Sequence, residues 1–264
     1  MRFALSTNWC NRRLESGEAI VDEALSLGFD ALELGFCTTY EQAEGVRRRL
    51  DEIPVGSIHA FCPVPISAPQ GHPELYQFAS MDESARAIAR VHVRRNVEFA
   101  AGIGASAVVL HAGRVPFRGF FSRWDAKRRS KRGAKLVDVF RRELDALVPV
   151  LEGCGVVLGL ENLPYAEGFP SADEMTGLVG DWVKPWFDTG HDFVIPGCRA
   201  DPVGMHVNDS AGGDDHLPPG EGKIDFSQFR AMAEAARHVV LEPNPDVTRE
   251  SLAKGLEFIR KVWS

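Results

Sequence analysis

The sequence predicts a (β/α)₈ barrel, an α/β TIM barrel in a single domain over residues 1–264, and three observations lead there. Short apolar runs alternate with longer segments of helical period, the signature of repeated βα units around a parallel sheet. Eight such units can be counted, and 264 residues is close to the roughly 250 that an eightfold barrel uses. Most of the runs carry an acid or a histidine at or near their end, the side on which barrel enzymes build their sites.

In chain order the strands are expected at Phe3–Ser6, Ala31–Gly35, Val55–Ala60, Ala107–His111, Val156–Glu161, Pro185–Asp188, Gly204–Val207 and Val239–Glu242. Helices are expected near 17–27, 40–52, 82–102, 134–153, 171–180, 225–236 and 246–262, with a short sixth crossover around 196–202. Ser171-x-x-Glu174 reads as a capping box and Asp225-x-x-Gln228 as a similar helix start. Gly28 and Gly102 follow helices where a left-handed cap is wanted.

Hydrophobic residues make up 44% and charged residues 25% of the chain, the mixture of a globular protein with a substantial core. A formal charge of -7 gives no general attraction to phosphate backbones, although local basic patches can still bind nucleic acid. The five cysteines, Cys10, Cys37, Cys62, Cys154 and Cys198, are odd in number, scattered and without a C-x-x-C pair. Neither a disulfide framework nor a cysteine zinc site is suggested, and a reducing cytoplasm is expected. Met1–Ser6 runs straight into Thr7 and Asn8, too short for the apolar centre of a signal peptide. No apolar stretch approaches the ~20 residues that span a bilayer, so a soluble chain with no membrane partner is expected.

Two loops exceed the usual length, 61–81 and 112–133, and long loops inside compact domains are usually functional. The first holds Pro63, Pro65, Pro69 and Pro73 and reads as a stiff lid or wall. Around the second lie Arg114, Arg118, Arg123, Lys127, Arg128, Arg129, Lys131, Arg132 and Lys135. This run is either a solvated helix entry or a phosphate contact. Trp9 and Phe36 follow early strands and would either stack on a sugar face or simply pack. Gly220-Glu221-Gly222 offers backbone N–H groups to a phosphate. His72, His92 and His238 lie off the strand-end pattern and read as surface or packing residues.

The chemistry-bearing pattern is the set of strand-end groups. Glu33 lies in the second strand, His59 closes the third, His111 the fourth, Glu161 the fifth and Asp188 the sixth; His206 sits in the seventh and Glu242 closes the eighth. Any one of them has a structural explanation, but ionised groups gathered around one cavity repel or lose hydration without compensation. A bound cation resolves that conflict. Phe187-Asp188-Thr189-Gly190-His191 adds an imidazole three residues after a carboxylate, with Gly190 allowing the turn. Asp214 and His216 face one side of an extended segment. Oxygen and imidazole donors without thiolate suit Mn²⁺, Mg²⁺, Co²⁺, Zn²⁺ or Fe²⁺. A split into carboxylate-rich and histidine-rich clusters would hold two or three ions.

Leu160-Glu161-Asn162, Phe187-Asp188-Thr189-Gly190-His191, Met205-His206-Val207-Asn208-Asp209, the run from His216-Leu217-Pro218-Pro219-Gly220-Glu221-Gly222-Lys223 to Ile224-Asp225-Phe226, and Leu241-Glu242 resemble the xylose-isomerase-like superfamily. More narrowly, they are similar to its sugar phosphate isomerase/epimerase family. The resemblance implies one divalent ion on Glu161, Asp188, His206 and Glu242, and a small carbohydrate substrate contacted by His59, His191, His216, Glu33 and Trp9. It also implies proton transfer beside a carbonyl through an enediolate, with Glu161 and Glu242 as acid and base. The same superfamily contains the endonuclease IV group, which cuts DNA at abasic sites with three zinc ions. Its ligand pattern carries over onto His59, His111, Glu161, Asp188, His191, His206, Asp214, His216 and Glu242. Under that alternative the partner is nucleic acid. Against it, His59-Ala60-Phe61-Cys62 stands where those endonucleases carry a His-Ala-Pro-Tyr type run whose aromatic enters the DNA.

Overall fold

Eight parallel strands close into a barrel in the computed structural model, which describes residues 1–116, 126–213 and 215–264. They are β1 Ala4–Ser6, β2 Ala31–Leu34, β3 Val55–His59, β4 Ala107–Leu110, β5 Val157–Glu161, β6 Val183–Asp188, β7 Gly204–Val207 and β8 His238–Leu241. Each strand pairs with its neighbours in chain order, and β1 closes the ring on β8 through Ala4 opposite Val240 and Leu5 opposite Leu241. All eight expected strands are present, with ends moved by one or two residues. Their register sets chemistry-bearing side chains beside one another: Asp188 stands opposite His206, and Glu33 opposite Ser57.

The helices are α1 Gly17–Leu27, α2 Tyr40–Arg47, α3 Glu83–Gly102, α4 Ala126–Cys154, α5 Ala172–Thr176, α6 Thr189–Val194, α7 Arg230–Ala235 and α8 Arg249–Val262. α8 illustrates their packing: Leu252, Leu256 and Ile259, spaced four and three apart, are buried against the barrel, while Arg260 and Lys261 in the last turn face its negative dipole end. Two expected helices end early, 40–52 at Arg47 and 171–180 at Thr176, and three further expectations need correction. α4 begins at Ala126, not near 134, so the basic run from Lys127 to Arg132 is helix and not loop; Lys and Arg are good helix formers, and charge alone does not mark a loop. The sixth crossover is α6, starting directly after β6 and not at 196–202, because the Asp188 carboxylate caps it by accepting from His191 N at 2.7 Å. The left-handed residue after α3 is Gly104, φ +81°, and not Gly102, which ends the helix; Gly28, φ +84°, caps α1 as expected.

The floor of the barrel is built around Trp186, which clusters with Ala4, Ala107, Val109 and Val240 inside the ring. The ring fits because Gly159 and Gly204 lack side chains: a Cβ there would lie 2.7 Å and 2.3 Å from the indole. Beneath it His238 stacks on the indole at 5.9 Å and shares a 3.0 Å hydrogen bond with Ser106 Oγ, a packing role as expected. Burial pushes its imidazole down to a pKa of about 4. Among the described residues no helix is long and apolar enough to cross a membrane.

Candidate metal centre

Directly above Trp186, at the ends of β5 to β8, four side chains converge. Glu161, Asp188, His206 and Glu242 each present a ligand atom within 4.8 Å of the others, and all four are buried. His206 is the hub: its Nδ1 lies 3.2 Å from Glu161 Oε1, 3.1 Å from Glu242 Oε2 and 3.9 Å from Asp188 Oδ2. The Trp186 ring supports it edge-on at 5.3 Å. Two further groups flank this inner one. His59, His111 and Glu161 form the first, and Asp188, His191 and His216 the second. Glu161 and Asp188 are each shared with the inner group.

Four of the five imidazoles in the three groups have one nitrogen bonded to an orienting partner. His59 Nδ1 donates to Ala60 O at 2.9 Å, His191 Nδ1 to Asn162 O at 2.8 Å and His216 Nδ1 to Glu242 O at 3.0 Å. His206 Nε2 lies 3.0 Å from Glu33 Oε1, whereas His111 Nδ1 is beyond hydrogen-bond reach of Glu74 Oε1 at 4.0 Å. The carboxylates are held as well: Asn208 Nδ2 donates to Asp188 Oδ2 at 2.6 Å and Asn8 Nδ2 to Glu242 Oε1 at 3.1 Å. Orienting contacts of this kind are what metal-ligating histidines and carboxylates need, since they fix tautomer and direction.

Hydrogen-bond bookkeeping tests whether a cation fits. His206 has carboxylate oxygens facing both ring nitrogens, and His59 has Ala60 O on one side and Glu161 Oε2 at 3.2 Å on the other. A neutral imidazole has one donor only, so one nitrogen of each would point a lone pair at an oxygen. Either a second proton or a positive ion must fill the gap. Burial opposes a charged His206, but Glu242, Glu33 and Glu161 outweigh it and hold the imidazole well above its ordinary range. Burial likewise opposes an ionised Glu161, and His206 and His111 outweigh it, keeping the carboxyl well below its ordinary range. The donor set suits a divalent cation in place of those protons.

The groups open into a cavity of about 200 Å³ whose walls include Phe36, Pro73, Asn244 and Pro245, with His59, His111, Glu161, His191, His216 and Glu242 at its base. Two expected contacts lie elsewhere. Glu33 is fully buried under His206, bonded to it and to Ser57 Oγ at 2.8 Å, because its place in mid-strand points it into the barrel and not at the mouth. Trp9 is buried too, its indole N–H donating to Val247 O at 2.8 Å; Phe36 is the aromatic on the cavity wall. Gly190 serves closeness and not the turn, since a Cβ there would meet Asn208 Oδ1 at 2.0 Å.

The backbone N–H groups of Gly220 and Gly222 are not free for a phosphate. Both donate to Asp209 Oδ2 at 2.9 Å, and Ser210 N and Ile224 N bond Asp209 Oδ1 at 2.8 and 3.0 Å. This buried carboxylate staples the loop that carries His216, helped by the paired backbones of Asp209 and Leu217. In the Pro-rich segment 61–81, Pro73 forms wall and Glu74 backs His111, as a wall would. Arg129 is bound to Glu174 at 2.5 Å, and Arg132 to Pro116 O. Asp214, Arg118 and Arg123 lie outside the described residues. Sequence reasoning missed Asn8, Asn162, Asn208 and Glu74. Asn162 and Asn208 stand one and two residues past donors, a signal that could have been read; Glu74 offers none.

A profile of the xylose isomerase-like TIM barrel family matches residues 21–262. The uncharacterized protein MJ1311 of Methanocaldococcus jannaschii is 28% identical over 165 residues, 56% of this chain and 53% of that protein. The chain thus spans about half the length of that curated relative. Among solved structures, a D-tagatose 3-epimerase-like protein superposes with a TM-score of 0.73 at 22% identity, over 99% of this chain and 97% of that one. The 3-keto-D-glucoside 4-epimerase YcjR of E. coli does so at 0.74 and 17%, over 99% of each chain. The IolI protein with a binding zinc atom matches at 0.71 and 14%, over 100% of this chain and 98% of that one. These likenesses establish the fold, and the family profile, covering nearly the whole chain, settles kinship: the chain belongs to the xylose isomerase-like TIM barrel family.

Proposed function

We propose that this chain is a divalent-metal-dependent isomerase or epimerase of a keto-sugar, sugar phosphate or related polyol. The observation that carries the reading is the placement of Glu161 and Glu242 on one small cavity, with their carboxylates 3.2 and 3.1 Å from the same nitrogen of His206. Two carboxylates flanking one bound carbon can remove a proton beside a carbonyl and return it on the other side. Glu242, the less enclosed of the two at 6% exposure against 1%, is the better placed to move a proton at its Oε2. Asn8 steadies its Oε1. His191 and His216 are positioned to bind substrate hydroxyls, and Phe36 with Pro73 excludes water from the wall. A divalent ion on Glu161, Asp188, His206 and Glu242 supplies stabilisation of negative charge on substrate oxygens. Sugar epimerases sharing this fold support the reading.

The test is exchange of a carbon-bound hydrogen in deuterated water. The metal-loaded protein should wash deuterium into the position beside the carbonyl of a keto-sugar or its phosphate, and Glu242→Gln should abolish it. A broad panel without exchange would count against the reading.

One observation favours a second: three donor groups sharing Glu161 and Asp188 suit up to three zinc ions, an arrangement for phosphodiester cleavage at an abasic site. Phe61 weighs against it. It is 1% exposed and packed edge-on to Tyr76 at 5.0 Å, and Cys62, which stands at the aromatic's place in that run, is fully buried, so neither presents a wedge to a duplex. No incision of an abasic-site duplex is expected with excess zinc; incision abolished by Glu161→Gln would reverse the choice.

A further inference from the structure

Among the described residues, several arginines of the segments beyond the strand ends are already matched. Arg114 pairs with Glu74, Arg129 with Glu174 and Arg199 with Asp192. Arg12 differs. It is exposed, lies on the cavity wall beside Phe36 and Asn244, and has no carboxylate within 4.0 Å among the described residues. Its Nη2 donates to Cys37 Sγ at 3.4 Å and to Gln70 O at 3.3 Å, two neutral acceptors at long range. Phe36 relates it to the donor groups: the ring meets His59 edge-on at 5.3 Å, and its neighbour Cys37 touches the guanidinium. Arg12 and six of the donor residues thus line one cavity, with Phe36 and Cys37 linking the two.

We propose that Arg12 anchors the anionic group of a phosphorylated or carboxylated sugar, deepening the isomerase or epimerase reading on which it rests. A guanidinium presents a planar fork of N–H donors that matches phosphate and carboxylate, and charge-assisted bonds of this kind are about twice as strong as neutral ones. Arg12 exchanges two long neutral bonds for charged ones when such a group arrives. The carboxylates of the inner group repel an anion, so an anionic end is better held by the exposed cation on the same cavity, Arg12. The carbonyl end of the same molecule then faces Glu161 and Glu242.

Calorimetric titration of the zinc-loaded protein with D-fructose, D-fructose 6-phosphate and 5-keto-D-gluconate tests this. At least one anionic sugar should bind about tenfold or more tightly than fructose, and which one does so identifies the group. Arg12→Gln should erase most of that margin, and Arg12→Lys should keep part of it. A margin absent from the unsubstituted protein, or one that survives Arg12→Gln and so belongs to the zinc, overturns the proposal. Deuterium exchange followed in the same samples reports separately on the isomerase reading, since the binding margin is measured whether or not a proton moves.

Discussion

The inner donor group and the two outer ones use the same residue types in opposite proportions. Glu161, Asp188 and Glu242 surround a single imidazole in the inner group, whereas each outer group sets one carboxylate against two imidazoles. With neutral histidines the inner group gathers three carboxylates in a buried place, and each buried ion costs several kcal/mol when uncompensated. The outer groups can persist as hydrogen-bonded histidines around a shared acid. The difference teaches where positive charge is needed most: in the inner group, as a proton on His206 or as a cation.

The largest effect expected from this contrast is loss of the inner ion. Glu242→Ala should weaken zinc binding by about a hundredfold or more, beyond the 10–100-fold typical of losing an orienting partner, while His238→Ala under the floor should change it only a few-fold. Elemental analysis and chelator competition read both variants, and equal occupancy would remove Glu242 from the ligand set.

A medium effect concerns pH. The imidazoles of His206 and His59 are both raised: burial opposes their charge but is outweighed, for His206 by Glu242, Glu33 and Glu161 and for His59 chiefly by Glu161. A cation must displace those protons, so affinity rises with pH and continues to rise above the ordinary imidazole value of about 6.5. Binding near neutrality should release protons, measurable as a buffer-dependent heat. Flat affinity from pH 6 to 8 would mean that the inner histidine is already neutral.

The smallest effect separates inner from outer groups. Asp209→Asn removes an ionised acceptor from the staple that positions His216 and should cost the outer group about tenfold in affinity with little change at the inner one. Uniform weakening of all bound zinc in a titration would show that the loop and the inner group are not independent.

The fold was legible because a barrel repeats one unit: short apolar runs and period-3.6 segments recur eight times along the chain. The strand-end acids and histidines were legible for the same reason, since strand ends share one rim. What was not legible depended on direction within a strand or on contacts across loops. Glu33 looks like any strand-end acid, yet its position in mid-strand turns it under His206 and into an orienting role. Trp9 and Phe36 are indistinguishable as aromatics after a strand, and only the three-dimensional path leaves one buried and one on the cavity wall. Asp209 stands in the sequence only as the end of the His206 motif, and nothing local shows that backbone N–H groups from as far downstream as Ile224 converge on it.

Trp186 carries a consequence of another kind. Its indole sits 5.3 Å from His206 in a rigid floor made possible by two glycines. The emission of an indole responds to charge on its neighbours, so a cation replacing the proton of His206 should change the fluorescence of this residue, an expectation that titration with zinc checks.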